Sequence, residues 1–275
     1  MTQFSYGLDT MKVSDVTAIA SGKKRGVLSE KALQKVTNSQ QQVQQIVANN
    51  KTVYGVNTGF GILANTTISE ADTRTLQHKI LQSHSVGVGD PVPAEIAKIM
   101  LITKVQALAQ GFSGVQAETL QRICWHIEND ITPVVPEKGS VGASGDLAPL
   151  AHLFLPLIGL GEVFYQGKRY KSLEVLQQFG LAPLQLGPKE GLALINGTQF
   201  LLAYAVKAVQ RLHNCLEAAD IIGAMSLEAL TGTKAPFDER LHALRPFAGS
   251  RLVAQRLRYL LHESAIMQSH VDCGR

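Results

Sequence analysis

One helical pattern covers about forty residues, from about Glu190 to Leu230, and it restricts the fold more than any other feature of the sequence. Apolar residues dominate it, and Gly191, Gly197 and Gly223 indicate close packing or a kink. A continuous helix of that length would measure ~60 Å, which exceeds the width of a compact domain of 275 residues. Such a helix must pack against other long helices, so the sequence predicts a mainly α fold.

Further helical patterns precede and follow this segment. Each either begins at a residue type that is typical of a helix start or has apolar residues at helical spacing along one face. The predicted helices are one capped by Ser29, one opened by Ser69 with Asp72 and running towards Gln82, one from Pro93 through Gln110, one over 115–129 and an amphipathic one over 251–269. Residues 162–165 and 168–170, separated by Gln166-Gly167, predict a small β-hairpin.

Composition excludes several classes of protein. The net charge of +4 comes from scattered lysines and arginines, and no basic run of the kind that binds nucleic acid is present. Cys124, Cys215 and Cys273 are widely separated and show no metal-ligand spacing, so we expect no metal and a reducing, cytoplasmic location. No signal peptide is predicted, because the first residues include neither a basic region nor an apolar one. No membrane-spanning segment is predicted either, because the most apolar stretch, 147–160, is too short to span a bilayer.

Residues 142–150 read Gly-Ala-Ser-Gly-Asp-Leu-Ala-Pro-Leu and carry the most specific chemistry in the sequence. An Ala-Ser-Gly tripeptide can cyclise when the Gly145 amide nitrogen attacks the Ala143 carbonyl, and glycine reaches the backbone angles that the ring requires. Loss of water from Ser144 then leaves a 4-methylidene-imidazol-5-one, an electrophile, and Asp146 could transfer protons during closure. The alternative is a small-residue loop in which Ser144 or Asp146 caps the helix that starts at Leu147.

The run 142–150 resembles the self-made electrophile segment of the histidine and aromatic amino-acid ammonia-lyases. Three other segments resemble that family in the same order: 54–61, which reads Tyr-Gly-Val-Asn-Thr-Gly-Phe-Gly, the pair Ser83-His84, and 190–199, which reads Glu-Gly-Leu-Ala-Leu-Ile-Asn-Gly-Thr-Gln. The resemblance extends from about Met11 to Arg275. It implies a carbon–nitrogen lyase that needs no external cofactor, because the electrophile forms from Ala143, Ser144 and Gly145.

The resemblance also implies roles for individual residues. Tyr54 would remove the substrate's β-proton, and Asn196 would hydrogen-bond the electrophile or the substrate carboxylate. Gly61 belongs to a glycine-rich loop whose backbone would lie close to the substrate. Taken alone, Tyr54 could be structural and Asn196 could join two helices. Ser83-His84 resembles the histidine-specific members, so the implied reaction converts L-histidine to trans-urocanate and ammonia.

For the fold, the resemblance implies a long-helix bundle of the ammonia-lyase and fumarase type. We expect a small mixed α+β N-terminal domain over 1–110 and the first part of the bundle over 111–275. Members of the family are homotetramers and continue into a second half that supplies a tyrosine, an arginine and a glutamate. The sequence therefore resembles an N-terminal half, partnered by other copies or by a separate C-terminal fragment. An inactive fragment and a tyrosine or phenylalanine lyase or aminomutase are the alternatives.

Overall fold

A computed structural model describes residues 2–49, 53, 55, 56, 58, 70–142 and 144–270, with the side chains of 70–74 outside that description. The chain divides into two compact units, Met1–Lys207 and Ala208–Arg275. Helices predominate in both units, as the sequence predicts. The sequence predicts a domain boundary between residues 110 and 111. The two compact units do not test that boundary, which stays a prediction.

The first unit contains most of the secondary structure. Its helices are α1 (Val13–Ala20), α2 (Glu30–Ala48), α3 (Glu70–His84), α4 (Ala94–Leu108), α5 (Ala117–Glu128), α6 (Leu147–Phe154), α7 (Ser172–Gln178) and α8 (Glu190–Ile195). Helix α9 (Gln199–Ala229) follows α8. A 3-10 turn, Leu155–Ile158, extends α6.

Short strands pair around this helical core. They are β1 (Thr2–Ser5), β2 (Lys24–Val27), β3 (Val88–Pro91), β4 (Thr132–Pro133), β5 (Pro136–Lys138), β6 (Glu162–Tyr165) and β7 (Lys168–Lys171). β1 pairs with β2 in parallel, β3 pairs with β5 in antiparallel register, and β4, β6 and β7 form an antiparallel sheet. The hairpin of β6 and β7 confirms the turn predicted at Gln166-Gly167.

Helix α4 lies at the centre of the first unit. It is buried along nearly its whole length, and its apolar side chains join those of α1, α3, α5 and α6 in one core. A helix that is apolar on every side is typical of such a central position. One charged residue, Lys104, lies within this buried stretch.

The second unit has a much smaller core. After α9 come a 3-10 turn (Ala235–Phe237), α10 (Glu239–Ala243), α11 (Ala248–Leu260) and α12 (Ala265–Gln268). Four buried apolar residues form its core: Ala224, Leu257, Leu261 and Met267. Many larger apolar side chains of this unit remain exposed.

Helix boundaries agree with the sequence in part. Ser29 caps α2 by accepting a hydrogen bond from the Ala32 amide, as predicted, and α4 begins directly after Pro93. Ser69 lies outside the described residues. Two predicted helices are broken: the long one is interrupted between Ile195 and Gln199, and the one over 251–269 is interrupted after Leu260. No helix among the described residues has the length and apolar character needed to cross a membrane.

Candidate active site

The segment that reads Gly-Ala-Ser-Gly-Asp leads directly into α6 and forms a tight loop. Ala143 lies outside the described residues, whereas Ser144 is exposed and Asp146 is buried. Gly145 forms isolated β-bridges with Gly142 and with Gly197. The loop therefore contacts the segment that separates α8 from α9.

Gly145 must be glycine for two reasons. Its φ of +89° lies in the region that L-residues rarely adopt, and an added Cβ would come within 2.2 Å of the Gly197 carbonyl oxygen. The two backbones therefore approach more closely than any side chain would permit. The ring closure predicted for this tripeptide needs a glycine at position 145, and that reaction stays a prediction.

Asp146 joins three parts of the site. Its amide donates to the Gly197 carbonyl at 2.7 Å. Its carboxylate accepts from the Ser140 hydroxyl at 2.7 Å and from the Leu201 amide, in the first turn of α9, at 3.1 Å. Asp146 precedes α6 at the N-cap position, but its side chain makes no capping hydrogen bond. The capping alternative is therefore wrong for its carboxylate, which holds the loop against α9 instead.

Asn196 ends α8, and its side chain is exposed. Its carbonyl oxygen accepts a hydrogen bond from the Lys104 ammonium at 2.8 Å. The other end of α8 is fixed by Glu190, a buried carboxylate that accepts from the amides of Gln116 and Gly187 and from the Thr119 hydroxyl, each at 2.7 Å. Both ends of this short helix are thus tied to the rest of the first unit.

Sequence reasoning missed Lys104. Its side chain is only 2% exposed, and burial lowers its pKa to about 7. Among the described residues it forms no ion pair. The signal in the sequence is a lysine that follows the unbroken apolar run 99–102 and Thr103 in a helical segment, and lysine is an expensive residue to bury.

Ser83 and His84 occupy the C-terminal end of α3. The His84 Nδ1 lies 2.9 Å from the Ile80 carbonyl and 3.1 Å from the Ser83 hydroxyl. Because a carbonyl oxygen only accepts, Nδ1 carries the proton, and in the neutral ring Nε2 is left as an acceptor. The pair therefore presents one hydroxyl and one ring acceptor.

The structure brings this end of α3 close to the start of the reactive loop. The Gly87 amide donates to His152 Nε2 of α6 at 3.0 Å, and β3 pairs Val88 with Lys138. A Cβ added at Gly139 would lie 3.0 Å from the Gly87 Cα. The backbone that follows Ser83-His84 therefore lies close, at residue 87, to the backbone that precedes the loop, at residue 139.

Tyr54 and Gly61 lie outside the described residues. Next to Tyr54, the Gly55 amide donates to the Thr58 hydroxyl at 3.2 Å, and Thr58 is buried. Within the described part of the chain, no three His, Cys, Asp or Glu side chains are grouped as metal ligands.

The model of the aromatic amino acid lyase family matches residues 11–275. This chain belongs to that family. It is 43% identical over 267 residues to the histidine ammonia-lyase of Myxococcus xanthus, covering 97% of this chain and 53% of the relative. With the histidine ammonia-lyase of Vibrio cholerae it shares 44% identity over 249 residues, covering 90% of this chain and 49% of the relative.

Solved structures show the same fold. The histidine ammonia-lyase of Trypanosoma cruzi superposes with a TM-score of 0.87 at 36% identity, covering 98% of this chain and 53% of that one. The tyrosine aminomutase of Streptomyces globisporus superposes with a TM-score of 0.90 at 30% identity, covering 100% of this chain and 54% of that one. The long-helix fold of these lyases is therefore confirmed. The chain spans about half the length of the curated relatives it matches.

Proposed function

We propose that this chain carries part of the active site of a histidine ammonia-lyase, which eliminates ammonia from L-histidine and releases trans-urocanate. The observation that carries the proposal is the Gly145–Asp146 backbone held against Gly197, in a family member that is 40–44% identical to curated histidine ammonia-lyases.

The residues present fit a 4-methylidene-imidazol-5-one. Ring closure would join the Gly145 nitrogen to the Ala143 carbonyl carbon and release that carbonyl's oxygen as water, and a second water would carry away the Ser144 hydroxyl. Gly145 lacks the Cβ that would block the approach of Gly197, and the Ser144 residue is exposed. When formed, the group supplies an electrophilic carbon for the substrate's amino group.

The chain's own residues would handle the substrate around this group. Tyr54 is proposed to take the β-proton, and Asp146 to transfer protons during ring closure. The Asn196 side chain is proposed to hydrogen-bond the electrophile or the substrate carboxylate, and the Gly61 backbone to border the substrate. Two observations support the role of Asn196: its side chain is exposed, and its backbone carbonyl is held by the Lys104 ammonium.

Substrate choice is assigned to Ser83 and His84. With Nδ1 protonated, the His84 Nε2 is an acceptor for the N–H of a substrate imidazole. A phenyl ring offers no such donor. The second candidate, a tyrosine or phenylalanine lyase or aminomutase, is favoured by the likeness to tyrosine aminomutase, but this polar pair and the curated relatives support histidine.

We infer a homo-oligomer, a tetramer as in the family, or a complex with a separate C-terminal fragment. The association is supported by apolar side chains that are exposed on α9, among them Leu212, Leu216, Ile222 and Met225. A cytoplasmic location is proposed because Cys124 and Cys215 are free. The remaining alternative is a fragment that folds but does not turn over.

The experiment measures urocanate by its ultraviolet absorbance in a full-length lyase that carries this chain as one half. In the double variant Ser83→Leu/His84→Leu, activity on histidine should fall about tenfold or more, because an unsatisfied imidazole group costs ~1–3 kcal/mol. Activity on phenylalanine should fall much less.

The matched control is Ser85→Ala, which removes a neighbouring hydroxyl that donates to the Gln82 carbonyl at 2.8 Å. This variant should keep the parent's preference for histidine. Equal losses on both substrates in the double variant would show that the pair does not recognise the side chain. Absence of urocanate in the parent protein would contradict the proposed function itself.

A further inference from the structure

Lys104 is a basic residue buried among apolar side chains of α4, where an apolar residue would serve packing equally well. It lies in the C-terminal half of α4, between Thr103 and Val105, in a stretch buried without interruption from Ile99 to Val105. Leucine or methionine would fill the same space without the cost of dehydrating an ammonium group. Burial lowers its pKa to about 7.

Among the described residues, this ammonium donates one hydrogen bond, and it goes to the segment between α8 and α9. Lys104 Nζ donates to the Asn196 carbonyl at 2.8 Å. That carbonyl belongs to the C-cap residue of α8, where a cation also interacts favourably with the unpaired carbonyl groups of the helix end. Lys104 therefore fixes the peptide unit that joins Asn196 to Gly197.

The next carbonyl along the chain contacts the reactive loop. Gly197 O accepts from the Asp146 amide at 2.7 Å and would clash with any Cβ on Gly145. A shift of the 196–197 peptide would consequently move the surface against which Gly145 and Asp146 lie. A continuous set of contacts leads from Lys104 through Asn196 and Gly197 to the loop.

We propose that Lys104 is a positioning residue for the reactive loop: by holding the Asn196 carbonyl, it fixes the Gly197 carbonyl that in turn holds Gly145 and Asp146. The role acts through backbone groups and requires no contact between Lys104 and the substrate. Its catalytic meaning rests on the proposed function, because only a reactive loop needs this precision.

The test is hydrogen exchange at single-residue resolution on the 275-residue chain. Lys104→Met should speed exchange of the Asp146 amide about tenfold or more, because hydrogen bonds to charged groups are the strong ones. Lys104→Arg should restore most of the protection. The Val92 amide, bonded to the Val135 carbonyl at 2.8 Å elsewhere in the unit, should exchange at the parent rate in both variants.

Lys98→Met is the matched control, because Lys98 lies on the same helix but pairs with Asp130 at 2.8 Å. It should leave exchange at Asp146 unchanged. The proposal is overturned if Lys104→Met leaves Asp146 protected, if it speeds Asp146 and Val92 equally, if Lys98→Met has the same effect, or if Lys104→Arg behaves like Lys104→Met. Intact mass of the parent chain reports ring closure separately, so failure of the proposed function would not be mistaken for failure of this role.

Discussion

At the scale of single residues, two buried charges near α8 are treated differently. Glu190 receives several hydrogen bonds from amides and a hydroxyl, so its charge is compensated by neutral donors. Lys104 has one carbonyl partner among the described residues, and burial lowers its pKa because the charged form is removed from water. Glu190 therefore stabilises the end of a helix, whereas Lys104 is retained at a cost in stability.

The lowered pKa of Lys104 predicts how stability depends on pH. Between about 7 and the ordinary value of 10.5, the unfolded chain binds a proton that the folded chain does not. Lys104 should therefore increase the free energy of unfolding as the pH rises across this window, and this gain is lost as the pH falls towards 7. Above about pH 9 the Cys124 thiol and the Tyr6 phenol act in the opposite direction, because burial raises the pKa of both groups. His126, whose pKa burial lowers to about 4, acts only below 6.5 and is separated from this window.

Urea denaturation at several pH values measures this effect. In Lys104→Met, the slope between pH 7 and 10.5 should flatten relative to the parent, and at pH 7 the variant should be at least as stable as the parent. Lys98→Met, on the same helix, should keep the parent's slope. A parent-like slope in Lys104→Met would show that another group titrates there.

At the scale of elements, the break between α8 and α9 shows what the sequence could not reveal. The pattern from Glu190 to Leu230 is helical throughout, and Gly197 was identified as a point of close packing or a kink. The interruption exists because the carbonyls of Asn196 and Gly197 bind Lys104 and Asp146, which are remote in sequence. The spacing of apolar residues within one segment cannot predict contacts with residues that are remote in sequence.

Features governed by neighbouring residues could be predicted. The Ser29 cap and the β6–β7 hairpin depend on residues a few positions apart, and the sequence indicated both. For the candidate site, the motifs singled out the loop 142–146, Asn196 and the Ser83-His84 pair, and the roles assigned to these residues stay predictions. Lys104 was missed because its role depends on tertiary contacts rather than on a motif.

Glycine substitutions test the contact between the loop and the α8–α9 break. Gly142→Ala should cost about 1–2 kcal/mol, because φ is +70° but nothing lies within 4 Å of the new Cβ. Gly145→Ala should cost a further ~1–3 kcal/mol, because its Cβ would displace the Gly197 carbonyl. Unfolding free energies are compared in a Ser144→Ala background, which removes the hydroxyl that ring formation eliminates. Equal costs at the two positions would contradict the close approach of Gly145 and Gly197.

At the scale of the whole molecule, the two units differ in how well they cover apolar surface. The first unit has an extensive core around α4, whereas the second buries four core residues and leaves a row of large apolar side chains exposed on α9. Exposed apolar surface of this extent is typical of a surface that binds another protein. This arrangement supports association of the 275-residue chain.

Light scattering across a concentration series measures that association. The purified chain should exceed the mass of a monomer, and the double variant Leu212→Glu/Leu216→Glu should reduce the association, because two charges would enter the apolar row on α9. The control, Gln41→Glu/Gln45→Glu, places the same two charges four residues apart at exposed positions of α2 and should associate like the parent. A monodisperse monomer at all concentrations would contradict the prediction.

Ring closure is the central claim, and intact mass spectrometry tests it most directly. In a full-length lyase carrying this chain, the measured mass should fall below the sequence value by the mass of two water molecules, and fragmentation should place the loss between Gly142 and Asp146. The Ser144→Ala variant, which lacks the hydroxyl, should not show the full loss. An unmodified mass in the full-length protein would contradict the assignment of this loop as the source of the electrophile.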